Sequence, residues 1–492
     1  MVRTGQRSAI SPWVTIAILC TGQMMIVLDQ NIVNVALPAV QRGLGFSSGD
    51  LVWVVNAYVI PFGGLLLLAG RLGDLLGRKA VFLTGIGLFS VSSVLCGFAS
   101  SEGMLMGARF VQGIGGAVAS ACILGMVATT FASEGKRTQA IAAYSFASAG
   151  GGAVGPLLGG VLTGLLSWHW IFFINLPIGV VVVLAGLRVI ARDPGEGLGK
   201  RTDFLGAVLV TAGMTLLVYT IVNAEQAGWR ATRTVVLGVL AVALLAGFFF
   251  RQATAREPLL PLRLFRSRSL TAANVVQFLV IAGMFGLLYF GTLYLQRVLR
   301  YSPLEAGLSF VPIAVVIAAV SLGLSARLIA RFGLRAVLFA GLVLNVAAFV
   351  VLSFARLGGT FGVDFLPASL VMGLGFGLTA PAMMGLGMAS VSPAESGIAS
   401  GLFNTTQQIG GAVGLTVLSA FAASRTNALT AAGHGQAASL LGGYHAGFLA
   451  AAACQFIALA VGAVMLRVVV PAPGPEQADE PAEPHGDRLS SR

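Results

Sequence analysis

Runs of about twenty apolar residues recur along the chain, broken by short segments carrying charge, Gly and Pro. They fall at roughly 12–37, 50–69, 80–99, 104–128, 139–165, 170–190, 204–222, 234–250, 271–295, 304–324, 336–355, 363–386, 398–421 and 445–469. A helix of that length crosses a hydrocarbon core of about 30 Å. The pattern predicts an all-α integral membrane protein with fourteen transmembrane helices. Two longer connectors, Ala191 to Asp203 and Arg251 to Leu270, bracket the seventh and eighth runs and leave six on either side. The expected organisation is a six-helix bundle over 1–190, a two-helix insertion with its linkers over 191–270, a second six-helix bundle over 271–469 and a disordered tail over 470–492. That tail is Pro-rich and acidic (Glu476, Asp479, Glu480, Glu483), a composition that cannot bury enough apolar surface to fold.

Polar residues inside the runs are the informative exceptions. A charge at the bilayer centre costs at least about 2.5 kcal/mol, so it marks a protein-lined or water-lined position. The first run holds Asp29 with Gln23, Gln30, Asn31 and Asn34. At about 100° per residue, Gln30 and Asn34 fall within roughly 20° of Gln23, whereas Asp29 points about 100° away from Gln30. One helix could thus line a solute cavity with amides and offer a titratable acid to its neighbour. Arg109, in the fourth run, needs an acid, carbonyls or water. It stays charged, so it can tune an acid without titrating itself; snorkelling towards the interface is the plainer alternative. The thirteenth run carries Asn404, Thr405, Thr406, Gln407 and Gln408, a polar cluster expected to face the cavity or a neighbouring helix.

Small residues form a second pattern. Gly151, Gly155 and Gly159 stand four apart, as do Gly152, Pro156, Gly160 and Gly164. These adjoining stripes let another helix approach closely, and Pro156 bends its own helix. Between the second and third runs, Gly70, Arg71, Gly73, Asp74, Gly77, Arg78 and Lys79 make a tight charged loop. Its carboxylate could latch two helix ends and release them in another conformation; a solvated charge group is the bland alternative. Shifted by 256 residues, the loop matches at Arg71/Arg327, Leu72/Leu328 and Gly77/Gly333, with Lys79 and Arg335 both basic. The shared place after the second run of each six supports a duplicated architecture.

Composition sharpens the picture. Of 492 residues, 57% are hydrophobic and only 10% charged, which excludes a soluble globular domain. The net charge of +12 does not signal nucleic acid, because the basic residues sit in short segments between apolar runs. With both ends on one side, that side carries 22 of the 30 Lys and Arg, the other carries 7, and Arg109 lies within a run. This bias predicts a multi-pass plasma-membrane protein with both termini cytoplasmic. Cys20, Cys96, Cys122 and Cys454 lie in apolar runs with no paired spacing, so neither a disulfide framework nor a zinc site is expected. His169, His434, His445 and His485 do not cluster, and no phosphate-binding Gly-x-x-x-x-Gly-Lys-Ser/Thr occurs. No catalytic constellation is present, so an enzyme is not expected.

Several segments together resemble a known family. Leu28-Asp29-Gln30-Asn31-Ile32-Val33-Asn34-Val35-Ala36-Leu37-Pro38 resembles the first-span signature of the fourteen-span drug:proton antiporters of the major facilitator superfamily, which usually have Thr at Asn31. Gly70 to Lys79 resembles the superfamily's loop motif, and Arg109 with Gln112-Gly113 resembles its fourth-span motif. Gly151 to Gly160, with Gly155 and Pro156 inside, is similar to the antiporter motif. Trp168 to Gly179 is similar to a family stretch that usually has Arg at His169. The resemblance implies a 6 + 2 + 6 major facilitator fold and export of lipophilic drugs or antibiotics by alternating access. It implies antiport driven by the proton motive force, without a cofactor. Asp29 and Arg109 would then handle the proton, and Gln23, Gln30, Asn34, Asn404 and Gln408 the substrate. The expected partners are protons, the bilayer and a neutral or monocationic small molecule, and the expected state is a monomer. A narrow exporter of one antibiotic or metabolite is the main alternative, and a non-transporting membrane sensor a remote one.

Overall fold

The computed structural model describes residues 11–131, 134–191, 193, 195, 197, 203–255, 258–388 and 396–466. No strand occurs among them. The helices are α1 Pro12–Leu44, α2 Trp53–Leu76, α3 Arg78–Gly97, α4 Glu102–Thr130, α5 Glu134–Leu165, α6 Trp170–Phe173, α7 Asn175–Val189, α8 Phe204–Ala227 and α9 Thr232–Thr254. They continue with α10 Arg268–Leu293, α11 Pro303–Ser309, α12 Val311–Ala319, α13 Ser325–Leu352, α14 Leu366–Met388, α15 Ser396–Ala431 and α16 Gln436–Met465. Starts are set by short polar side chains that accept from first-turn N–H groups: Ser11, Ser101, Asp203, Ser267 and Ser302. The expected tail over 470–492 lies outside the described residues, as do Arg3, Arg7 and much of the 191–203 connector.

Thirteen helical stretches among the described residues are long and apolar enough to cross a bilayer. One of them, 303–352, has 50 residues, about 75 Å if straight and far more than one crossing needs. It breaks at Gly333, where φ is 81° and ψ 160°, a backbone region essentially closed to other residues. That stretch therefore crosses twice, and the total becomes the fourteen that the apolar runs predict. An even number of crossings brings Ser11 and Leu466 to one face, the near face. The α1–α2, α10–α11 and α15–α16 connections lie on the far face.

Among the first six crossings, α1 packs on α5, α4 and α7, while α4 also contacts α2 and α3. Among the last six, α10 packs on α15 and α16, and α13 on α14 and α16. The pair α8–α9 joins this body through α8, which contacts both α2 and α15. A Cβ on Gly64 of α2 would lie 2.4 Å from Thr211 Oγ1 of α8, so the helices meet where a side chain is missing.

The 256-residue repeat is visible in the backbone. Gly77 (φ 92°) and Gly333 (φ 81°) occupy the same unusual conformation at the turn between successive helices. Next to them, Lys79 Nζ donates to the Leu187 and Ile190 carbonyls at the end of α7, at 2.9 and 2.5 Å. Arg335 donates to the Ala463 carbonyl near the end of α16 at 3.0 Å. Each half thus ties its second turn to the C-terminal end of its last helix, where exposed carbonyls favour a cation.

Candidate functional site

Asp29 and Arg109 are both fully buried. The carboxylate Oδ2 accepts from Arg109 Nη1 at 2.5 Å. Its Oδ1 accepts from Gln112 Nε2 at 2.9 Å and from Asn175 Nδ2 at 2.8 Å. The guanidinium also donates through Nη1 to Gln112 Oε1 at 2.9 Å and through Nε to the Val54 carbonyl at 3.2 Å. Its central carbon lies 4.4 Å from the centroid of the Tyr58 ring, a cation–π contact. Helices α1, α2, α4 and α7 therefore converge on one acid. A buried pair depends on further hydrogen bonds to its lone pairs and N–H groups, and here both carboxylate oxygens and the guanidinium Nη1 and Nε are so engaged.

Helical spacing explains the convergence. Arg109 and Gln112 are three apart on α4 and share a face, so both reach α1 together. Asn175 stands at the start of α7 and bridges Asp29 to Ser93 Oγ at 3.0 Å, which in turn donates to the Phe172 carbonyl at 2.8 Å. Sequence reasoning does not single out Asn175, Ser93 or Tyr58 for this role. The signal for Asn175 is weak: an amide in a family-like stretch with no charge to flag it.

The glycine stripes of α5 have two separate partners. A Cβ on Gly151, Gly155 or Gly159 would meet α1 at Met24 O (2.7 Å), Asn31 Cβ (2.8 Å) or Ile32 O (2.5 Å). From Pro156 onward the adjoining stripe faces the last six crossings, while Gly152 still faces α1: a Cβ on Gly160 would lie 2.5 Å from Pro303 O, and one on Gly307 2.5 Å from Pro156 O. These contacts sit towards the far face. There Gln296 Nε2 also donates to the Val35 carbonyl at 2.7 Å, and Arg297 donates to Gln41. Gln41 and Arg297 are 256 residues apart, so two positions related by the repeat touch each other. Towards the near face the same helix is open: a Cβ on Gly150 would meet nothing within 4 Å, and Phe146 is 71% exposed.

The residues expected to line a cavity are dispersed. Gln23 is buried and accepts from Ser120 Oγ of α4 at 3.2 Å. Asn34 is buried and donates to the Gln30 and Asn31 carbonyls of its own helix at 3.3 and 3.4 Å. Gln30 is half-buried, and Asn404 is exposed. Gln408 is buried, its Cβ 2.8 Å from where a Cβ on Gly63 of α2 would stand. Two others of that α15 cluster turn to α10: Thr406 donates to Asn274 Oδ1 at 2.9 Å, and Gln407 Oε1 accepts from Gln277 Nε2 at 3.4 Å.

In the charged loop, Asp74 Oδ1 accepts from Arg78 Nη2 at 2.9 Å, and Arg78 Nη1 reaches the Gly125 carbonyl of α4 at 3.4 Å. Gly77 makes the turn. Gly73, expected to help it, is helical and instead admits Cys122, whose Sγ would lie 2.7 Å from a Cβ there. Gly70 likewise faces Ala121 of α4. On its outer side the loop meets the α7–α8 connector, with Gly197 N–H donating to the Leu75 carbonyl at 3.1 Å.

The family model described as Major Facilitator Superfamily matches residues 19–415. The chain is 36% identical to the puromycin resistance protein of Streptomyces alboniger over 464 residues, covering 93% of this chain and 90% of that one. It is 38% identical to the cephamycin export protein of Amycolatopsis lactamdurans over 433 residues, 86% and 88% of the two chains. Among solved structures, a bacterial homologue of the human lysosomal transporter Spinster, in an inward-facing and occupied conformation, superposes with a TM-score of 0.66. That match covers 92% of this chain and 96% of that one at 15% identity, so it bears on the fold alone.

Proposed function

The chain belongs to the Major Facilitator Superfamily, and from that premise we propose that it exports lipophilic small molecules, antibiotics among them, in exchange for protons by alternating access. The observation that carries the reading is the fully buried Asp29–Arg109 pair at the meeting point of four helices. Burial favours the protonated form of a carboxyl group and an adjacent guanidinium favours the ionised form. A change in helix packing around the pair would therefore load or release a proton. Contacts of α1 and α5 with the last six crossings towards the far face, with α5 open towards the near face, support an arrangement in which the near side gives access beside α5. The excess of Lys and Arg on the near face supports a cytoplasmic assignment for it and for both termini, in a bacterial plasma membrane.

On this reading the halves are the first six and last six crossings, α8–α9 lies between them, and one chain suffices. The segment from Gly70 to Lys79, which is the end of α2, the Gly77 turn and the start of α3 rather than the loop expected from the sequence, serves as a latch, broken and remade as the halves tilt. In the second half Asp364 is held by Arg356 at 2.9 Å, and Glu305 caps α11 through Ser302. Neither acid is left for a second cationic charge, which supports neutral or monocationic substrates over dications.

Expression in an efflux-deficient bacterial host tests the proposal, using puromycin and a panel of unrelated lipophilic toxins with and without a protonophore. Resistance to several compounds, abolished by the protonophore, is expected. Unchanged susceptibility across the panel, or resistance indifferent to the protonophore, would overturn proton-driven export. A narrow exporter is the second reading, favoured by relatives each named for one compound; resistance confined to a single drug would select it.

A further inference from the structure

On the far face, a cavity of about 240 Å³ opens between the α1–α2 connection, the end of α10, and α15 with α16. It is smaller than the roughly 300–1,000 Å³ of drug-sized sites. Its wall includes Arg297, Tyr289, Phe290, Ser419 and Tyr444. No carboxylate is among its lining residues. Asp50, near the lining residues Ser47, Ser48 and Gly49, is engaged by the Ser47 hydroxyl at 2.7 Å.

Two hydroxyls in this wall have no acceptor for their protons. Tyr444 is 4% exposed, and its Oη faces the Arg297 guanidinium, which can donate to it but cannot accept its proton. Ser419 Oγ is likewise buried without a partner. A buried polar group left unpaired is costly, so two in one small cavity point to a partner that completes them. Arg297 spends one donation on Gln41, and a guanidinium has five N–H donors. The rings of Phe290 and Tyr444, 6.2 Å apart between centroids, supply an aromatic wall.

We propose that this cavity is a binding site for a small one-ring aromatic carboxylate, distinct from the buried Asp29 site. The carboxylate oxygens would accept from the Arg297 guanidinium and the Tyr444 and Ser419 hydroxyls, and the ring would lie against Phe290. A fixed cation, unpaired donors and the absence of a lining acid select an anion over an amine. The cavity draws on residues before α2 as well as on α10, α15 and α16. Its occupant therefore touches both halves, and the site is whole only while their far ends are together.

The test is direct binding to the purified full chain in lipid nanodiscs, so it does not depend on transport. Benzoate is the probe and benzamide its neutral counterpart, read by thermal unfolding across a concentration series. Benzoate is expected to raise the unfolding temperature in a saturable way and benzamide to do so far less. Tyr444→Phe, which keeps the ring and removes one donor, should weaken benzoate binding about fivefold. Arg297→Gln should abolish the preference for benzoate over benzamide. Equal shifts from the two probes, no shift from benzoate, or undiminished benzoate affinity in Tyr444→Phe would each overturn the assignment.

Discussion

Replacing Asp29 by Asn or Arg109 by Gln should each destabilise the protein by more than replacing both. In Asp29→Asn, the guanidinium keeps its Val54 and Gln112 contacts and its place over Tyr58 but loses its counter-charge. Breaking one side of a buried pair costs about 3–5 kcal/mol, because an uncompensated charge remains. Some relief is available: Asn175 Oδ1 has no partner, so its amide can turn to accept from the amide N–H introduced in place of the carboxylate. The loss expected for Asp29→Asn is therefore at the lower end, about 3 kcal/mol, and for Arg109→Gln about 4 kcal/mol. The double variant buries two neutral amides that can bond each other, and should lose no more than about 2 kcal/mol. The cycle thus yields a coupling of about 5 kcal/mol, larger than the usual range for contacting residues because one partner's absence penalises the other. Unfolding of the three variants by SDS titration in mixed micelles measures all corners. Additive losses, or single losses below about 1 kcal/mol, would refute the idea that the carboxylate and guanidinium depend on each other. All three variants should also lose the protonophore-sensitive part of drug resistance.

Gly159→Ala would place a Cβ 2.5 Å from the Ile32 carbonyl, so α1 and α5 must separate; a loss of about 1–3 kcal/mol, read by thermal unfolding, is expected. Gly333→Ala meets nothing within 4 Å and should cost only backbone strain of about 1–3 kcal/mol, whereas Gly77→Ala adds a 2.2 Å clash with the Asp193 carbonyl; unfolding measurements should rank Gly77→Ala as the worse of the two. At Asp203, burial pushes the carboxyl up, but bonds from Arg251, the Gly206 N–H and Gln252 outweigh it and hold the group below its ordinary 3.8. The stabilisation is then complete above about pH 4 and lost as pH falls through the lowered value, so the wild-type unfolding temperature should drop at acid pH more steeply than that of Asp203→Asn.

The fourteen crossings were legible because lipid forces every spanning segment into a long apolar helix. Helix ends were less so. The first run stops at 37 by hydropathy, but α1 continues through Gln41 and Arg42 to a left-handed cap at Gly45. Hydropathy marks where hydrocarbon ends, not where hydrogen bonding does. Asp29 and Arg109 stood out because charge is rare in such runs. Asn175 and Ser93 did not, since many hydroxyls and amides in these helices bond their own backbone: Ser90 to Ile86, Thr215 to Thr211, Asn34 to Gln30. The shared face of Gln23, Gln30 and Asn34 divides in this respect: Asn34 bonds its own helix, whereas Gln23 accepts from Ser120 of α4. Asn175 and Ser93, like Gln23, differ from Ser90, Thr215 and Asn34 only in reaching another helix, which composition does not record.

The repeat separates what both halves need from what only one uses. The left-handed glycine turn and the basic residue that ties it to the final helix recur 256 positions apart. Gln41 meets its own counterpart, Arg297, at the far face. Yet at the same offset from Asp29 and Arg109 stand Phe285 and Phe365. Phe285 packs on Gly411, whose added Cβ would lie 2.9 Å from its ring, an aromatic contact at the position matching Asp29 in the repeat. Taking two charges out of water costs several kcal/mol for each ion even when they are well paired, whereas aromatic packing carries no such cost. Both halves require such turns, because each must leave and re-enter the membrane at matched points. On the proposed mechanism one proton-handling pair is enough to bias the rocking of the halves, since any group that binds a proton differently in two arrangements shifts their populations. Carrying the ion pair in one half, with phenylalanines at the matching positions of the other, confines the electrostatic penalty to the half that uses it on the proposed mechanism.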